Sequence, residues 1–284
     1  MERFFVITNE RRDPGAERAK QISEYLISRN RSCDWVSIER DSDNESEEIR
    51  RITGLPDDTE AVIVLGGDGT FIQCAGLLAP KKIPMIGVNL GHLGYLAEVD
   101  KDGITPALEK LINNDHTCEE RMMLSGTTVI DNNNRDDMYA VNDIVVKMPG
   151  SAVGAFVIEV NGTYLTTITG DGIVVATPTG STAYNMSAGG PIIEPGSSMI
   201  VITPICPLEV VSRSVVLSAS DTVVIKLVSP AGRGPRTAET FFDGRMGNTL
   251  SNNDSVIIRK AEASIRLIKL SRESFLEVLS RKMG

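Results

Sequence analysis

The sequence predicts two domains: a Rossmann-like α/β domain with a parallel sheet, and a C-terminal all-β, sandwich-like domain. A final helix is expected to return to the first domain. Three observations predict this fold class. Apolar runs alternate with helical periodicity over the first hundred or so residues, β-branched runs dominate after Cys118, and a short amphipathic segment lies at residues 275–279. Strands that alternate with helices are typical of βαβ units, whereas a series of short strands indicates a sandwich.

The α/β part begins with an apolar run at residues 4–8 and contains a longer one, residues 61–65, closed by glycines. An uninterrupted apolar run is typical of a central parallel strand, because such a strand is buried on both faces. Apolar residues at helical spacing over residues 16–28 predict the first helix. The remaining predicted elements are strands at residues 35–38 and 84–88 and a helix at residues 70–78.

The β part contains an Asn161-Gly162 pair between strand-like runs at residues 156–160 and 163–165. Asn-Gly is the strongest short hairpin signal, because both turn residues need a positive φ. A lone helix after a β domain needs a partner, so we expect the last helix to pack on the α/β domain. The predicted domains are therefore residues 1–117 plus 271–284 and residues 118–270. Further strands are predicted at residues 139–147, 173–176, 223–228, 255–259 and 265–270.

Composition limits the partners. The chain has 284 residues, with 29 Lys and Arg against 38 Asp and Glu, so its formal net charge is -9, and only 5% of its residues are aromatic. Nucleic acids and anionic membranes attract basic surfaces, so we expect neither as a partner. The first apolar run is too short for a signal-peptide core or a membrane span, and the four cysteines form no C-x-x-C pair. We therefore expect a cytoplasmic protein with reduced thiols.

The sharpest local feature is a glycine-rich turn that contains an acid: Gly66, Gly67, Asp68, Gly69 and Thr70. Glycines let a ligand approach the backbone, and the start of the helix that follows offers free N–H groups and a positive dipole end, which suit phosphate oxygens. A carboxylate there would repel phosphate unless it binds a metal or accepts a proton from an attacking hydroxyl. The turn therefore favours phosphoryl transfer. The alternative is a structural turn in which Asp68 belongs to a helix cap.

Competing motifs are absent from the sequence. It has no G-x-x-x-x-G-K-[ST] P-loop, no G-x-G-x-x-G after the first strand, no G-x-S-x-G elbow and no H-E-x-x-H pair. Its two histidines, His92 and His116, are too few for a histidine-rich metal site. We assign no residue as a metal ligand.

A second dense segment, residues 170–191, runs from a strand into a turn rich in hydroxyl groups and ends in Gly-Gly-Pro. Small side chains let a flat ligand approach the backbone, hydroxyl groups supply donors and acceptors, and Tyr184 can stack on a base. These features favour a ligand site, and the alternative is an ordinary loop rich in Ser and Thr.

Together, the two segments resemble the NAD kinase family. Gly-Gly-Asp-Gly-Thr alone is shared with diacylglycerol-type lipid kinases, but its combination with Thr-Pro-Thr-Gly-Ser-Thr-Ala-Tyr at residues 177–184 is highly specific. Other matching blocks follow the family order and span most of the chain, at residues 87–96, 140–143, 187–191, 203–207 and 243–244.

The resemblance implies transfer of the γ-phosphoryl group of ATP, or of a phosphoryl group of polyphosphate, to the 2′-hydroxyl of the adenosine ribose of NAD, which gives NADP. It implies Mg²⁺ or another divalent ion with ATP, which would neutralise charge in the transition state. It also implies a homodimer or homotetramer. The choice between ATP and polyphosphate, the use of NADH, feedback by NADP and the number of subunits stay open.

The resemblance also gives roles to matching positions. Asp68 matches the aspartate that activates the 2′-hydroxyl, with Gly66, Gly67, Gly69 and Thr70 near the phosphates. A secondary alcohol is a weak nucleophile, so a positioned carboxylate that takes its proton is chemically sensible.

The acceptor side is implied by residues further along the chain. Asn142 and Asp143 match an Asn-Glu pair that contacts the adenosine of NAD, and Asp171 matches an acid near the nicotinamide end. The other matches are Tyr95 as an aromatic residue beside the site, Thr182, Ala183 and Tyr184 on the adenine-side wall, Ser187 close by, and Thr179 in the same block.

Three positions differ from the family pattern: Asp143 where Glu is usual, Leu208 where His is usual, and Thr169 where many members carry Arg. The sequence disfavours two other functions. A lipid or small-alcohol kinase of the same superfamily would lack the block at residues 179–184. A nucleotide sensor without chemistry would not favour an acid at position 68.

Overall fold

The structure, a computed structural model, describes residues 1–39, 45–91, 94–209, 212–228, 236–271 and 273–283. Its contacts divide the chain into two compact units, Met1–Arg121 with Ala263–Gly284 and Met122–Glu262. These units are defined by contacts alone. The predicted domains, residues 1–117 plus 271–284 and residues 118–270, remain a prediction. Within the described ranges, no helix combines the length and apolar character needed to cross a membrane.

The described residues form eighteen strands and six α-helices in the two units, besides four short 3-10 helices. The strands are β1 (Arg3–Asn9), β2 (Ser32–Ile38), β3 (Ala61–Gly66), β4 (Met85–Asn89), β5 (Ala97–Asp100), β6 (Thr117–Ile130), β7 (Asn133–Asn134), β8 (Met138–Ala140), β9 (Asp143–Lys147), β10 (Gly154–Val160), β11 (Thr163–Gly170), β12 (Gly172–Ala176), β13 (Met199–Ile205), β14 (Val215–Ser218), β15 (Val223–Val228), β16 (Ala238–Phe242), β17 (Arg245–Leu250) and β18 (Ser255–Lys269). The helices are α1 (Glu17–Ser28), α2 (Glu45–Thr53), α3 (Asp68–Leu78), α4 (Ile104–Ile112), α5 (Tyr184–Ser187) and α6 (Phe275–Met283).

The first unit is built on a parallel sheet in the order β18-β4-β3-β1-β2, and β5 also pairs with β4. Every residue of β3 is buried, as the apolar run predicts. Because β1 lies between β2 and β3, the strand order reverses between β1 and β3. Ligands of open parallel sheets bind at the carboxyl ends of the strands at such a reversal. The final helix, α6, belongs to this unit, as predicted.

The second unit contains two antiparallel sheets that share one core. One sheet has the order β14-β13-β12-β9-β16-β17, and the other contains β11-β10-β15-β18, with β6 paired to β18. Ile144 and Ile173 of the first sheet belong to the same apolar cluster as Phe156 and Ile225 of the second, which is the arrangement of a sandwich. The predicted fold class is therefore confirmed.

The Asn161-Gly162 turn joins β10 and β11, and both residues have the positive φ that the pair predicts, 51° and 76°. The predicted hairpin is therefore confirmed.

Two predicted elements differ in extent from the structure. The strand predicted at residues 139–147 is divided into β8 and β9, because the N–H groups of Val141 and Asn142 donate to the Asp243 carboxylate instead of extending the strand. The strands predicted at residues 255–259 and 265–270 are one strand, β18. The charged residues in its middle are exposed, so they do not interrupt it.

Candidate active site

The glycine-rich turn lies where the strand order of the first unit reverses. Gly66 ends β3, Gly67 is extended, and Asp68 is the first residue of α3. The first N–H groups of a helix lack partners within it, and a negative side chain is favoured there. The side-chain Nδ2 atom of Asn9, at the end of β1, donates to Thr70 Oγ1 at 3.1 Å. The turn is thus held against the carboxyl end of the neighbouring strand.

The Asp68 carboxylate is fixed by the segment before β5. The Tyr95 N–H donates to one carboxylate oxygen at 2.7 Å, and the Leu96 N–H donates to the other at 3.2 Å. A Cβ at Gly94 would lie 1.8 Å from Asp68 Oδ1, so the segment can approach only because position 94 has no side chain. Asp68 remains partly exposed. A carboxylate that is oriented but still accessible can accept a proton from a hydroxyl group.

Tyr95 also contacts the final helix. The Lys282 Nζ atom lies 3.5 Å from the centroid of the Tyr95 ring, which is the geometry of a cation–π contact. The structure therefore brings the predicted residues Asp68 and Tyr95 together. It adds Lys282, which the sequence analysis missed, since an isolated lysine near a chain end carries no motif.

The second unit contains a pocket of about 370 Å³. Four predicted site residues line it: Asn142, Asp143, Ala183 and Tyr184. The remaining lining residues are Val145, Lys147, Phe241, Asp243 and Gly244. Aromatic rings next to carboxyl and amide groups suit a ligand that has a flat ring and hydroxyl groups.

Asp243 lines this pocket and binds the backbone of residues 141–143. It was not predicted as a site residue. Its carboxylate accepts hydrogen bonds from the N–H groups of Val141 at 2.7 Å, Asn142 at 2.7 Å and Asp143 at 3.1 Å. It therefore fixes the backbone that presents the two predicted binding residues. The Asp243-Gly244 pair has φ values of 51° and 77° in the turn between β16 and β17. This hairpin signal in the sequence could have identified it.

The carboxyl groups of the pocket are unusually hard to ionise. Burial, and then the charge of Asp243, raise the pKa of Asp143 to about 7. Burial raises the pKa of Asp243 to about 6, although its three N–H donors and Arg245 oppose the change. Burial also raises the pKa of the Tyr184 hydroxyl, and the negative charges around it act in the same direction. A buried carboxyl group that is partly protonated near neutral pH can donate as well as accept a hydrogen bond.

Several hydroxyl groups of the segment at residues 177–191 hold the backbone. Thr177 Oγ1 donates to the carbonyl oxygen of Val141 at 2.7 Å and accepts from the Gly180 N–H at 2.9 Å. Ser181 Oγ donates to the carbonyl oxygen of Pro178 at 2.7 Å. A Cβ at Gly180 would lie 2.1 Å from the carbonyl oxygen of Asn142, so this position requires glycine. The segment is thus a support for the pocket wall.

Other predicted residues of this segment lie outside the pocket lining. Thr179 is buried, Thr182 Oγ1 donates to the carbonyl oxygen of Thr179 at 3.3 Å, and Ser187 is exposed at the end of α5. Asp171 is exposed at the junction of β11 and β12. The roles of these residues remain predictions.

Two of the departures from the family pattern are adjacent in the structure. The Leu208 N–H donates to the carbonyl oxygen of Thr169, and the Thr169 N–H donates to a carboxylate oxygen of Glu209, both at 2.8 Å. Leu208 is 67% exposed. This edge therefore carries Thr169 and Leu208 where the family pattern has Arg and His, and Glu209 adds an acid beside them.

The described ranges hold no cluster of three or more His, Cys, Asp and Glu side chains that could bind a metal ion. His116 lies in the loop before β6, and His92 and Leu93 lie outside the described residues.

Comparison with known proteins places both units in one family. Residues 5–116 match the model of the ATP-NAD kinase N-terminal domain, and residues 140–270 match that of the ATP-NAD kinase C-terminal domain. The NAD kinase of Lachnospira eligens is 36% identical over 293 residues, which cover 100% of both chains. The NAD kinase of Agathobacter rectalis is 37% identical over 287 residues, which cover 100% of this chain and 99% of the relative.

Solved structures share the fold. The yeast NADH kinase in complex with NADH has a TM-score of 0.84 and 23% identity, and the match covers 100% of this chain and 88% of that chain. An NAD kinase from Archaeoglobus fulgidus in complex with ATP has a TM-score of 0.74 and 21% identity, with 98% of each chain covered. The two matched domains and the full-length relatives show that this enzyme belongs to the NAD kinase family.

Proposed function

We propose that the enzyme transfers the γ-phosphoryl group of ATP to the 2′-hydroxyl of the adenosine ribose of NAD, which gives NADP and ADP. The observation that carries the proposal is the Asp68 carboxylate, which two backbone N–H groups orient at the start of α3 while it stays partly exposed. Relatives named NAD kinase along the full chain support the acceptor, and the ATP complex of the Archaeoglobus fulgidus protein supports the donor.

In the proposed reaction, Asp68 is the general base. The carboxylate takes the proton of the 2′-hydroxyl as the 2′-oxygen forms a bond to the γ-phosphorus. The bond between that phosphorus and the β–γ bridging oxygen breaks, and ADP leaves with the electron pair. The backbone of Gly66, Gly67, Gly69 and Thr70 binds phosphate oxygens, because free N–H groups and the helix dipole favour anions there.

The pocket of the second unit binds the adenosine of NAD in this proposal. Tyr184 and Phe241 contact the base, the Asn142 amide bonds its edge, and Asp143 bonds the ribose hydroxyls. Asp143 is one methylene shorter than the usual Glu, and its raised pKa lets its protonated form donate to a hydroxyl oxygen. Tyr95, Asp171, Thr179, Thr182, Ala183 and Ser187 keep the binding roles that the family resemblance implies.

A divalent ion, Mg²⁺ above all, accompanies ATP in the proposal. Since the described residues form no metal cluster, the phosphates themselves would supply most of its ligands. When bound there, the ion would neutralise phosphate charge.

The proposal also includes a cytoplasmic location, assembly as a homodimer or homotetramer, and polyphosphate as a second donor.

The experiment crosses two acceptors, NAD and NADH, with two donors, ATP and polyphosphate, in the presence of Mg²⁺. NADP formation from NAD and ATP is the expected result. Absence of product from every combination would overturn the proposed function.

The base assignment is tested by Asp68→Asn. We expect turnover to fall about 10²- to 10⁴-fold, the usual contribution of a general base, while the affinity for NAD measured by calorimetry changes little. Asp102→Asn is the control, because Asp102 is an exposed acid of the same unit. Normal turnover in Asp68→Asn would show that another group takes the proton.

A further inference from the structure

Lys282, in the last turn of α6, places a positive charge on the ring of Tyr95, the residue whose backbone N–H binds the proposed base. Its Nζ atom lies 3.5 Å from the centroid of the Tyr95 ring, and the N–H of Tyr95 donates to the Asp68 carboxylate at 2.7 Å. Three residues from three separate segments of the first unit therefore form one contiguous group. In the sequence, Lys282 lies about two hundred residues after Asp68 and Tyr95.

Within the described part of the chain, no carboxylate is bound to the ammonium group of Lys282. The neighbouring Arg281 forms two hydrogen bonds to Glu273, at 2.6 and 3.2 Å. Among the residues that the structure describes, Lys282 is in no such ion pair, and its Nζ atom contacts the aromatic ring. An aromatic ring orients a cation without neutralising it, so the charge remains available to an anion.

The surroundings of Lys282 also favour an anionic ligand. The residue is partly buried, and this burial lowers the pKa of its ammonium group; the charge of Asp68 acts in the opposite direction, and the charge of Arg281 lowers the pKa further. Asp68 is thus close enough to influence Lys282, although no direct hydrogen bond joins them. A partly desolvated cation gains more from a charged hydrogen-bond acceptor than a fully hydrated one does.

We propose that Lys282 binds the phosphoryl group that is transferred and stabilises its negative charge in the transition state. This inference rests on the proposed function. The ammonium keeps its proton and forms N–H···O hydrogen bonds to phosphoryl oxygens, while Asp68 takes the proton of the hydroxyl. Tyr95 is a positioning residue for both, since its ring orients the ammonium and its backbone N–H orients the carboxylate.

The test compares Lys282→Met, Lys282→Gln and Lys282→Arg with Arg281→Met, which removes one charge from the same helix turn. NADP formation is measured over a range of ATP and NAD concentrations. We expect Lys282→Met and Lys282→Gln to lower kcat about 10²- to 10³-fold, the usual effect of losing one group that stabilises transition-state charge. The KM for NAD should change less than about 2-fold, because Lys282 contacts only the transferred group. Lys282→Arg should retain more activity than either, and Arg281→Met should resemble the wild type.

A binding measurement supplies a readout other than turnover. Calorimetric titration with inorganic tripolyphosphate should show about 10-fold weaker binding to Lys282→Met and to Lys282→Gln than to wild type or Arg281→Met, because a charge-assisted hydrogen bond is lost. Two uncharged substitutions are used so that the test does not depend on the folding of one variant, and thermal unfolding of each verifies its stability.

The outcomes separate the two proposals. A wild-type protein that makes no NADP contradicts the proposed function. An active wild type, with a folded Lys282 variant that retains normal kcat and tripolyphosphate binding, overturns the role of Lys282. Equal losses in Lys282→Met and Arg281→Met also overturn it, because they would reflect the packing of α6 and not the ammonium group.

Discussion

Asp68 in the first unit and Asp243 in the second are both held by backbone N–H groups, yet their environments differ. Two donors orient Asp68, which stays partly exposed at the start of a helix. Three donors hold Asp243, which is also half-buried but lies in the turn between β16 and β17, where desolvation raises its pKa to about 6. In the proposed function, Asp68 exchanges a proton with a ligand, whereas the hydrogen bonds of Asp243 fix the chain around it. Under the proposed function, carboxylates held by backbone N–H groups therefore serve chemistry in the first unit and support in the second.

The largest effect expected in this comparison is that of Gly94→Ala. The added Cβ would lie 1.8 Å from Asp68 Oδ1, so the carboxylate or the segment at residues 94–96 has to move. We expect turnover to fall about 10²-fold or more, since displacing a reactive group by about 1 Å has that effect. The measurement is the initial rate of NADP formation.

Gly76→Ala is the matched control for Gly94→Ala. Gly76 lies within α3, and a Cβ there would meet no atom within 4 Å. We expect normal turnover and a gain of up to about 1 kcal/mol in the free energy of unfolding, because Ala favours helix more than Gly does. Normal turnover in Gly94→Ala as well would mean that the orientation of Asp68 does not depend on this contact.

The next effect concerns the stability of the second unit. Asp243→Ala leaves three N–H groups of residues 141–143 without their acceptor. A buried donor without a partner costs about 1–3 kcal/mol, so we expect the free energy of unfolding to fall by about 3 kcal/mol or more. Urea unfolding measures the change.

Asp221→Ala is the control for Asp243→Ala. Asp221 accepts hydrogen bonds from the Ser218 N–H at 3.0 Å and from Asn161 Nδ2 at 2.8 Å, but in an exposed turn. Water can replace the lost acceptor there, so the expected loss is below about 1 kcal/mol. Equal losses in the two variants would show that the burial of the hydrogen bonds to Asp243 does not set its importance.

The smallest expected effect is a dependence of stability on pH. The pKa of Asp143 is raised to about 7 by burial and by Asp243, whereas an unfolded Asp has a pKa of about 3.9. Between these values the folded state binds more protons than the unfolded state. The raised pKa of Asp143 therefore adds to the free energy of unfolding. This stabilisation is fully present below about pH 4 and is lost as the pH rises through about 7.

Asp143→Asn removes that contribution. The midpoint of thermal unfolding of the wild type should fall between pH 5 and pH 8. We expect this fall to be smaller by a few degrees in Asp143→Asn. Asp102→Asn, which changes an exposed acid, should behave as the wild type. The same pH dependence in Asp143→Asn and wild type would contradict the raised pKa.

Local patterns were enough to predict much of the fold. The apolar run of β3, the Asn161-Gly162 hairpin and the glycine-rich turn each depend on neighbouring residues, so the sequence displays them directly. The continuity of β18 was not predictable in this way. Whether the charged residues in its middle end the strand or lie on its exposed side depends on what packs against it.

The candidate site was predictable where motifs carry it and not where distant segments meet. Asp68 stands out in the sequence, but its hydrogen bonds to Tyr95 and Leu96 join residues 27 and 28 positions away. Lys282 has no sequence signal at all. The many hydroxyl groups near Thr177 suggested contacts to a ligand, whereas Thr177 and Ser181 bond the backbone. Composition does not reveal which way a hydroxyl group points.

The close packing at Gly180 has a consequence for protein engineering. The backbone of this residue lies so near the carbonyl oxygen of Asn142 that a single added carbon would be 2.1 Å away. A library intended to change the preferred nucleotide should therefore leave position 180 constant. Under the proposed function, its diversity belongs at Asp143, Tyr184 and Phe241, which line the pocket.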